Sequence, residues 1–280
     1  MNTPNTIIDG VSSHMKQQKT SILFLIIAAI FIGITFLPLF ASERILDLFA
    51  REDGVFENLT ALYLFVIALV FGVALFYVRT ASLLLKLSYT GLALLFFLGA
   101  GEEISWGERI FHWEDQNFIR GVNVQEEFTL HNLKYFQGEE SIIPVSASQL
   151  FVVFAFIFAV LIPLACTISP RISEFVAPRF PVLPLYPGVL VVLTYIFQKL
   201  MLRVLPIVPA LYQHPTMPIP QGVHEIREHG FTFALLASVI IYFSREWAAK
   251  KAADSQAISN QMTNLGSRIP VGMEHKGEKI

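Results

Sequence analysis

The stretch Gly101-Glu102-Glu103-Ile104-Ser105-Trp106-Gly107-Glu108-Arg109 sets two adjacent carboxylates where an apolar run, residues 81–100, comes to an end. A run of roughly 20 apolar residues is long enough to cross a bilayer as a helix. A charge at hydrocarbon depth costs on the order of 2.5–3.5 kcal/mol on insertion scales, so carboxylates kept at the end of a span need partners. The rest of the chain supplies the candidates.

Composition agrees with a lipid solvent. Of the 280 residues 54% are hydrophobic, 25 are Phe and only 15% are charged, and the mean hydropathy is +0.57. Apolar stretches at 21–40, 59–78, 83–101, 147–168, 183–202 and 230–243 predict an all-α, polytopic membrane bundle of about six transmembrane helices. The sixth is short unless it begins within residues 224–229. The first begins only after some twenty polar residues and is long enough to span, so it reads as a membrane helix rather than a cleaved signal peptide. Residues 1–19 and 248–280 read as polar, poorly ordered tails on either side of a transmembrane domain at 20–247. The single Cys166 excludes an intramolecular disulfide and any cysteine-based metal cluster.

The net charge of −2 hides an asymmetry. With six spans, both termini and the second and fourth loops share one side, which collects twelve of the 20 basic residues. The positive-inside tendency makes that side cytoplasmic. The other side holds sixteen of the 22 acidic residues, so any chemistry is expected on the outer face. The longest loop there, residues 102–146, is expected to start with a helix from Glu102 through Trp113 lying in the interface, because Trp106 and Trp113 stand seven apart.

Three acidic clusters fall on that outer side. At Glu52-Asp53-Gly54-Val55-Phe56-Glu57, Asp53 reads either as a helix N-cap with Glu57 satisfying the helix dipole, or as one of two oxygen ligands on a shared face. At Glu102, Glu103, Trp106 and Arg109, helical spacing brings a carboxylate, an indole and a guanidinium onto one face; either Arg109 neutralises a carboxylate structurally or the group is catalytic. The third contains Glu-x-x-x-His twice, at Glu127 to His131 and Glu225 to His229, and Glu108 to His112 makes another instance. Composition alone predicts roughly 0.4 such pairs, so three is an excess. Carboxylate and imidazole one helical turn apart can ligate iron, manganese or zinc when several helices converge, although a single such pair is also a common solvated helix face.

The succession Glu-Asp-Gly-x-x-Glu at 52–57, Gly-Glu-Glu-Ile-Ser-Trp-Gly-x-Arg at 101–109 and Asn-x-Gln-x-Glu-x-x-x-His-Asn at 123–132 resembles a family of bacterial multi-pass membrane proteins of unassigned activity, over residues 51–133. The resemblance implies that these residues form one site. Glu108 stands where the family pattern has Gln, and His112 lies outside the motif. The acidic segment at 52–60 and the late pair His224/His229 are also similar to the alkaline ceramidase-like membrane hydrolases.

The expected function is a metal-dependent membrane enzyme acting on a lipid or lipid-linked substrate. Glu102, Glu103 and Arg109 are its candidate catalytic residues, and Glu57, Glu103, Glu127, His131, Glu225 and His229 its candidate ligands for a divalent zinc, iron or manganese ion. The competing expectation is a non-catalytic scaffold or transport subunit, partnered by another membrane protein, whose acids pair with Arg109, Arg203 and Arg227. Nucleic acid is excluded as a partner because there is no basic groove. Ser105 lacks a nucleophile elbow and reads as a packing residue.

Overall fold

In the computed structural model the described residues are 22–23, 25–51, 54–77, 82–107, 146–208, 212 and 217–266, and among them there is helix and no strand. An apolar helix α1 covers Leu25–Phe40, its last turn tightened where Pro38 enters. Then come α2 (Glu43–Ala50), α3 (Val55–Tyr77) and α4 (Leu83–Glu103). The next span begins as α5 (Ala147–Phe156), passes through a π-helical turn at Ile157–Leu161 and continues as α6 (Ile162–Ile168). It is followed by α7 (Pro170–Val176), α8 (Gly188–Ile207) and α9 (Ile219–Gly266).

Five of the described helices are long and apolar enough to cross a membrane, and α1 is shorter. The expected all-α bundle is present, with five of its about six expected spans at full length among the described residues and the first apolar run appearing as the shorter α1. The short sixth run of the sequence is resolved as anticipated, because α9 starts at Ile219 and takes in residues 224–229. Residues Leu62, Phe65, Leu69, Val73 and Phe76 of α3, Leu94, Leu95 and Leu98 of α4, and Ile196 and Leu200 of α8 are exposed. Large apolar side chains presented in such numbers mark faces whose natural solvent is hydrocarbon.

Local signals set the starts. Ser82 Oγ accepts from Leu85 N at 3.2 Å to cap α4, and Ser146 with Gln149 forms a capping box at α5, with contacts of 3.2 and 3.1 Å. Gly54 turns the chain into α3; a Cβ there would stand 2.6 Å from the Arg51 carbonyl oxygen. Aromatic rings fill the interior. Phe71 of α3 stacks on Phe96 of α4 at 6.2 Å, Phe96 meets Phe154 of α5 at 5.8 Å, and Phe158 of the π turn packs edge-on to Phe180 at 5.7 Å.

The chain divides into two compact units, 1–240 and 241–280. In the first, α9 is the most enclosed span, with 61% of its apolar window buried against 22–39% for the others, and Val223, Ile226, Phe231, Ala234 and Leu235 are fully covered. The second contains the continuation of the helix to Gly266. The tail expected to be poorly ordered is therefore helical over residues 248–266. Ala248, Ala249, Lys250, Lys251, Ala252 and Ala253 are strong helix formers, and that propensity is independent of apolar patterning.

Candidate functional site

The short connection between α3 and α4 makes the two antiparallel neighbours, so the first turn of α3 and the last turn of α4 lie at the same end. The first carries Glu57 and the second Glu102 and Glu103. The early turns of α9, carrying Glu225, Arg227, Glu228 and His229, arrive there too, because Arg227 reaches Ser148 in the first turn of α5. At this end Glu103 has the carboxylates of Glu228, Glu225, Glu57 and Glu102 close enough to act on it electrostatically. All five are half-buried. Like charges gathered at the edge of hydrocarbon require a counter-charge, a bound cation or shared protons.

One counter-charge is visible. Arg227, 4% exposed, donates to Glu228 Oε1 at 2.8 Å and to Ser148 Oγ, while its Nε has no partner. Among the described residues no three His, Cys, Asp or Glu side chains stand close enough to hold a metal ion as they are placed.

His229 is fully buried, and its ring sits among Phe56 at 4.6 Å, Tyr63 at 5.4 Å and Phe31 at 6.0 Å. Neither ring nitrogen makes a hydrogen bond of normal geometry, the backbone of Phe56 being the polar group they approach. Helical spacing from Glu225 suggested a carboxylate–imidazole pair; the surroundings of His229 are instead rings from α1 and α3.

The expected helix through Trp106 is not formed. α4 stops at Glu103, and Ser105, Trp106 and Gly107 take φ of 48°, 52° and 78°. Two consecutive non-glycine residues in the left-handed region cost on the order of 1–2 kcal/mol each. The turn is closed by Gly107 N–H donating to the Ile104 carbonyl at 2.8 Å. It folds the indole back over the helix end, where Trp106 Nε1 donates to Glu102 Oε1 at 2.6 Å and the ring meets Phe97 edge-on at 6.3 Å. The contact anticipated from helical spacing is thus made by a reversal of the chain. Ser105, 1% exposed, packs inside that turn.

Of the candidate residues, Glu57, Glu102, Glu103 and Glu225 are brought together, with Glu228, which helical spacing had not singled out, among them. Its signal was its place next to Arg227. Arg109, Glu127, His131, Glu108 and His112 lie outside the described residues, as do Glu52 and Asp53. Comparison with protein-family models, curated proteins and solved structures finds no match for this chain.

Proposed function

We propose that the carboxylate cluster at the shared end of α3, α4 and α9 binds a divalent cation, and that the chain is a metal-dependent membrane enzyme acting on a lipid or lipid-linked substrate. The observation that carries this reading is the set of four carboxylates acting on Glu103. Arg227 pairs with Glu228 at the same end, and a cation bound there would act on the gathered carboxylates in the same sense. An oxygen-rich donor set suits Mn²⁺ better than softer ions. Glu57, Glu103, Glu127, His131, Glu225 and His229 are its candidate ligands from the sequence, and Glu57, Glu103 and Glu225 would have to draw closer than they stand here to share an ion. A metal so held supplies Lewis acidity or an activated water. A half-buried site at the rim of exposed apolar helix faces is open to an amphiphile, which is the reason for the lipid substrate class.

The reading also places the cluster on the outer face of a bacterial inner membrane with both termini cytoplasmic, on the strength of the basic and acidic asymmetry of the sequence. Labelling of an Asp115→Cys variant in intact cells is expected from outside only; reaction confined to the cytoplasmic side would reverse the sidedness.

The test of the function is elemental analysis of protein purified in mild detergent without chelator. Wild type is expected to carry stoichiometric metal, and Glu103→Gln to lose it while remaining inserted and monodisperse. Absence of Zn, Fe, Mn and Ca from the wild type would overturn the proposal. The ion pair of Arg227 with Glu228 favours a second reading, a structural polar cluster in a scaffold or transport subunit. In that case Glu103→Gln lowers thermal stability and changes no metal content.

A further inference from the structure

The span that runs from α5 through the π turn into α6 ends at Ile168. Ser169, with φ −124° and ψ 108°, breaks the helix there, and α7 starts at Pro170. It therefore begins at the depth where hydrocarbon gives way to headgroups. Ser82, which caps α4, donates to the Pro178 carbonyl, and Ser88 Oγ donates to the Arg179 carbonyl at 2.7 Å. These contacts hold the segment against the start of α4, at the end of the bundle opposite Glu103. None of the seven side chains of α7 is buried. A helix so short is not stable by propensity alone, and this one draws nothing from the core.

Its surface has two chemistries. Ile172 and Phe175, three residues apart, share one side of α7, and with Ile168 they are exposed, Phe175 to 64% and Ile168 to 73%. Arg171, one turn before Phe175, and Arg179 are exposed beside them. The Arg179 guanidinium lies 4.3 Å from the centroid of the Phe175 ring and donates to the Phe175 carbonyl, which satisfies the end of the helix. Among the described residues neither arginine is in an ion pair. Glu174, the one acid of α7, is turned about 200° from Ile172 around the helix axis.

We infer that α7 and the turn after it are a docking surface for anionic phospholipid, in which Ile168, Ile172 and Phe175 enter the acyl boundary while Arg171 and Arg179 bind the headgroup phosphate. A neutral lipid would leave both guanidiniums unmatched, and a soluble anion would leave three large apolar side chains in water. Arginine suits a phosphate because its planar fork donates two parallel hydrogen bonds. The inference goes beyond the metal reading, since it concerns the opposite end of the bundle and needs no metal. On the sidedness proposed above, the lipid belongs to the cytoplasmic leaflet, whose surface is negative.

The experiment uses the full chain. Cys166 is the sole cysteine, so Cys166→Ala with Ile172→Cys gives one attachment point for a bimane label beside both arginines. The labelled protein is reconstituted into phosphatidylcholine bilayers containing brominated phosphatidylglycerol or, in the same proportion, brominated phosphatidylcholine. Quenching is expected to show the anionic lipid preferred at the label by about fivefold for each guanidinium, the worth of one basic side chain at such a surface. Arg171→Gln and Arg179→Gln should each remove about one such factor, and the double variant should bring the two lipids to parity. In the unlabelled chain in detergent, added phosphatidylglycerol should raise the unfolding temperature more than phosphatidylcholine does, and the double variant should lose the difference. Equal quenching by the two lipids with both arginines present would overturn the inference, as would a label reached by aqueous iodide and by neither lipid. Inorganic phosphate that stabilised the unlabelled chain as well as phosphatidylglycerol would put a soluble anion in place of the lipid and overturn it too.

Discussion

Gly230 of α9 lies so close to Thr194 of α8 that a Cβ at position 230 would stand 2.7 Å from the threonine Cγ2. Without a hydrophobic driving force between helices in lipid, such close crossings are where dispersion accumulates. This one lies one residue beyond His229 and two beyond Glu228, so it fixes the depth at which α9 presents its polar residues. Gly230→Ala is expected to destabilise by about 1–3 kcal/mol through overpacking. Thr194→Ala in the same chain should restore most of that, because it removes the clashing methyl. Gly188→Ala should be worse and not open to such rescue, since its Cβ would meet the Ala159 carbonyl oxygen at 2.2 Å, which is backbone of the π turn. Thermal unfolding in detergent measures all three variants.

Arg227 offers a second measurement. Its side chain is 5% exposed and that of its partner Glu228 25%, so removal of the guanidinium leaves a carboxylate in a poorly solvated place. Arg227→Ala is expected to destabilise by about 3–5 kcal/mol. Ser148→Ala, which removes one acceptor of the same guanidinium, should cost about 1 kcal/mol. The Arg227/Glu228 double-variant cycle in the same unfolding assay isolates the pair; a coupling near zero would show that Arg227 acts through Ser148 alone.

The spans were legible because apolar length is itself the physical cause of crossing, and α4 ends at Glu103 where the apolar run meets charge. The gathering of Glu57, Glu103 and Glu225 followed from alternating helix direction, which puts odd and even ends together. The reversal at Ser105-Trp106-Gly107 was not legible, because nothing in Ser or Trp favours the left-handed region. The clearance at Gly101 that permits it, where a Cβ would meet the Trp106 ring at 2.8 Å, is a relation in space, and the seven-residue spacing of Trp106 and Trp113 pointed to a continuous helix instead. The burial of His229 among rings was hidden for a similar reason: Phe31, Phe56 and Tyr63 come from elements distant in sequence, whereas Glu225 is the near neighbour that spacing reveals. The π turn at Ile157–Leu161 leaves no mark in an apolar run of uniform character.

Tyr212 predicts an alkaline limb in the stability profile. Its hydroxyl donates to the Met217 carbonyl at 2.7 Å, and burial, with a smaller contribution from the negative charge of Asp47, pushes it from 10.0 up to about 12. The folded state therefore holds the proton more tightly than the unfolded chain. The resulting stability is fully present below pH 10 and is lost as pH rises from about 10 through about 12. Tyr212→Phe should lower stability at neutral pH by about 1 kcal/mol, the value of a lost hydrogen bond, and should flatten the decline above pH 10. Denaturant midpoints measured from pH 7 to pH 12 would refute this if the two proteins fell in parallel.

His229 yields the sharpest separation of site from packing. A buried imidazole without a normal hydrogen bond is unfavourable by about 1–3 kcal/mol relative to a satisfied or apolar group. Phe31, Phe56 and Tyr63 already surround it with ring contacts that a phenyl group would keep. On packing alone Phe is the better residue, so a histidine retained there at a loss of stability points to use of its nitrogens, in line with the tension between active-site chemistry and stability. His229→Phe is accordingly expected to raise the unfolding temperature of the detergent-purified protein and to weaken Mn²⁺ binding in the same sample. His229→Gln, which restores a polar group of similar reach without the ring, should lose both the packing and the gain in temperature. A lowered unfolding temperature in His229→Phe with unchanged Mn²⁺ affinity would assign the residue to packing and remove it from the candidate ligands.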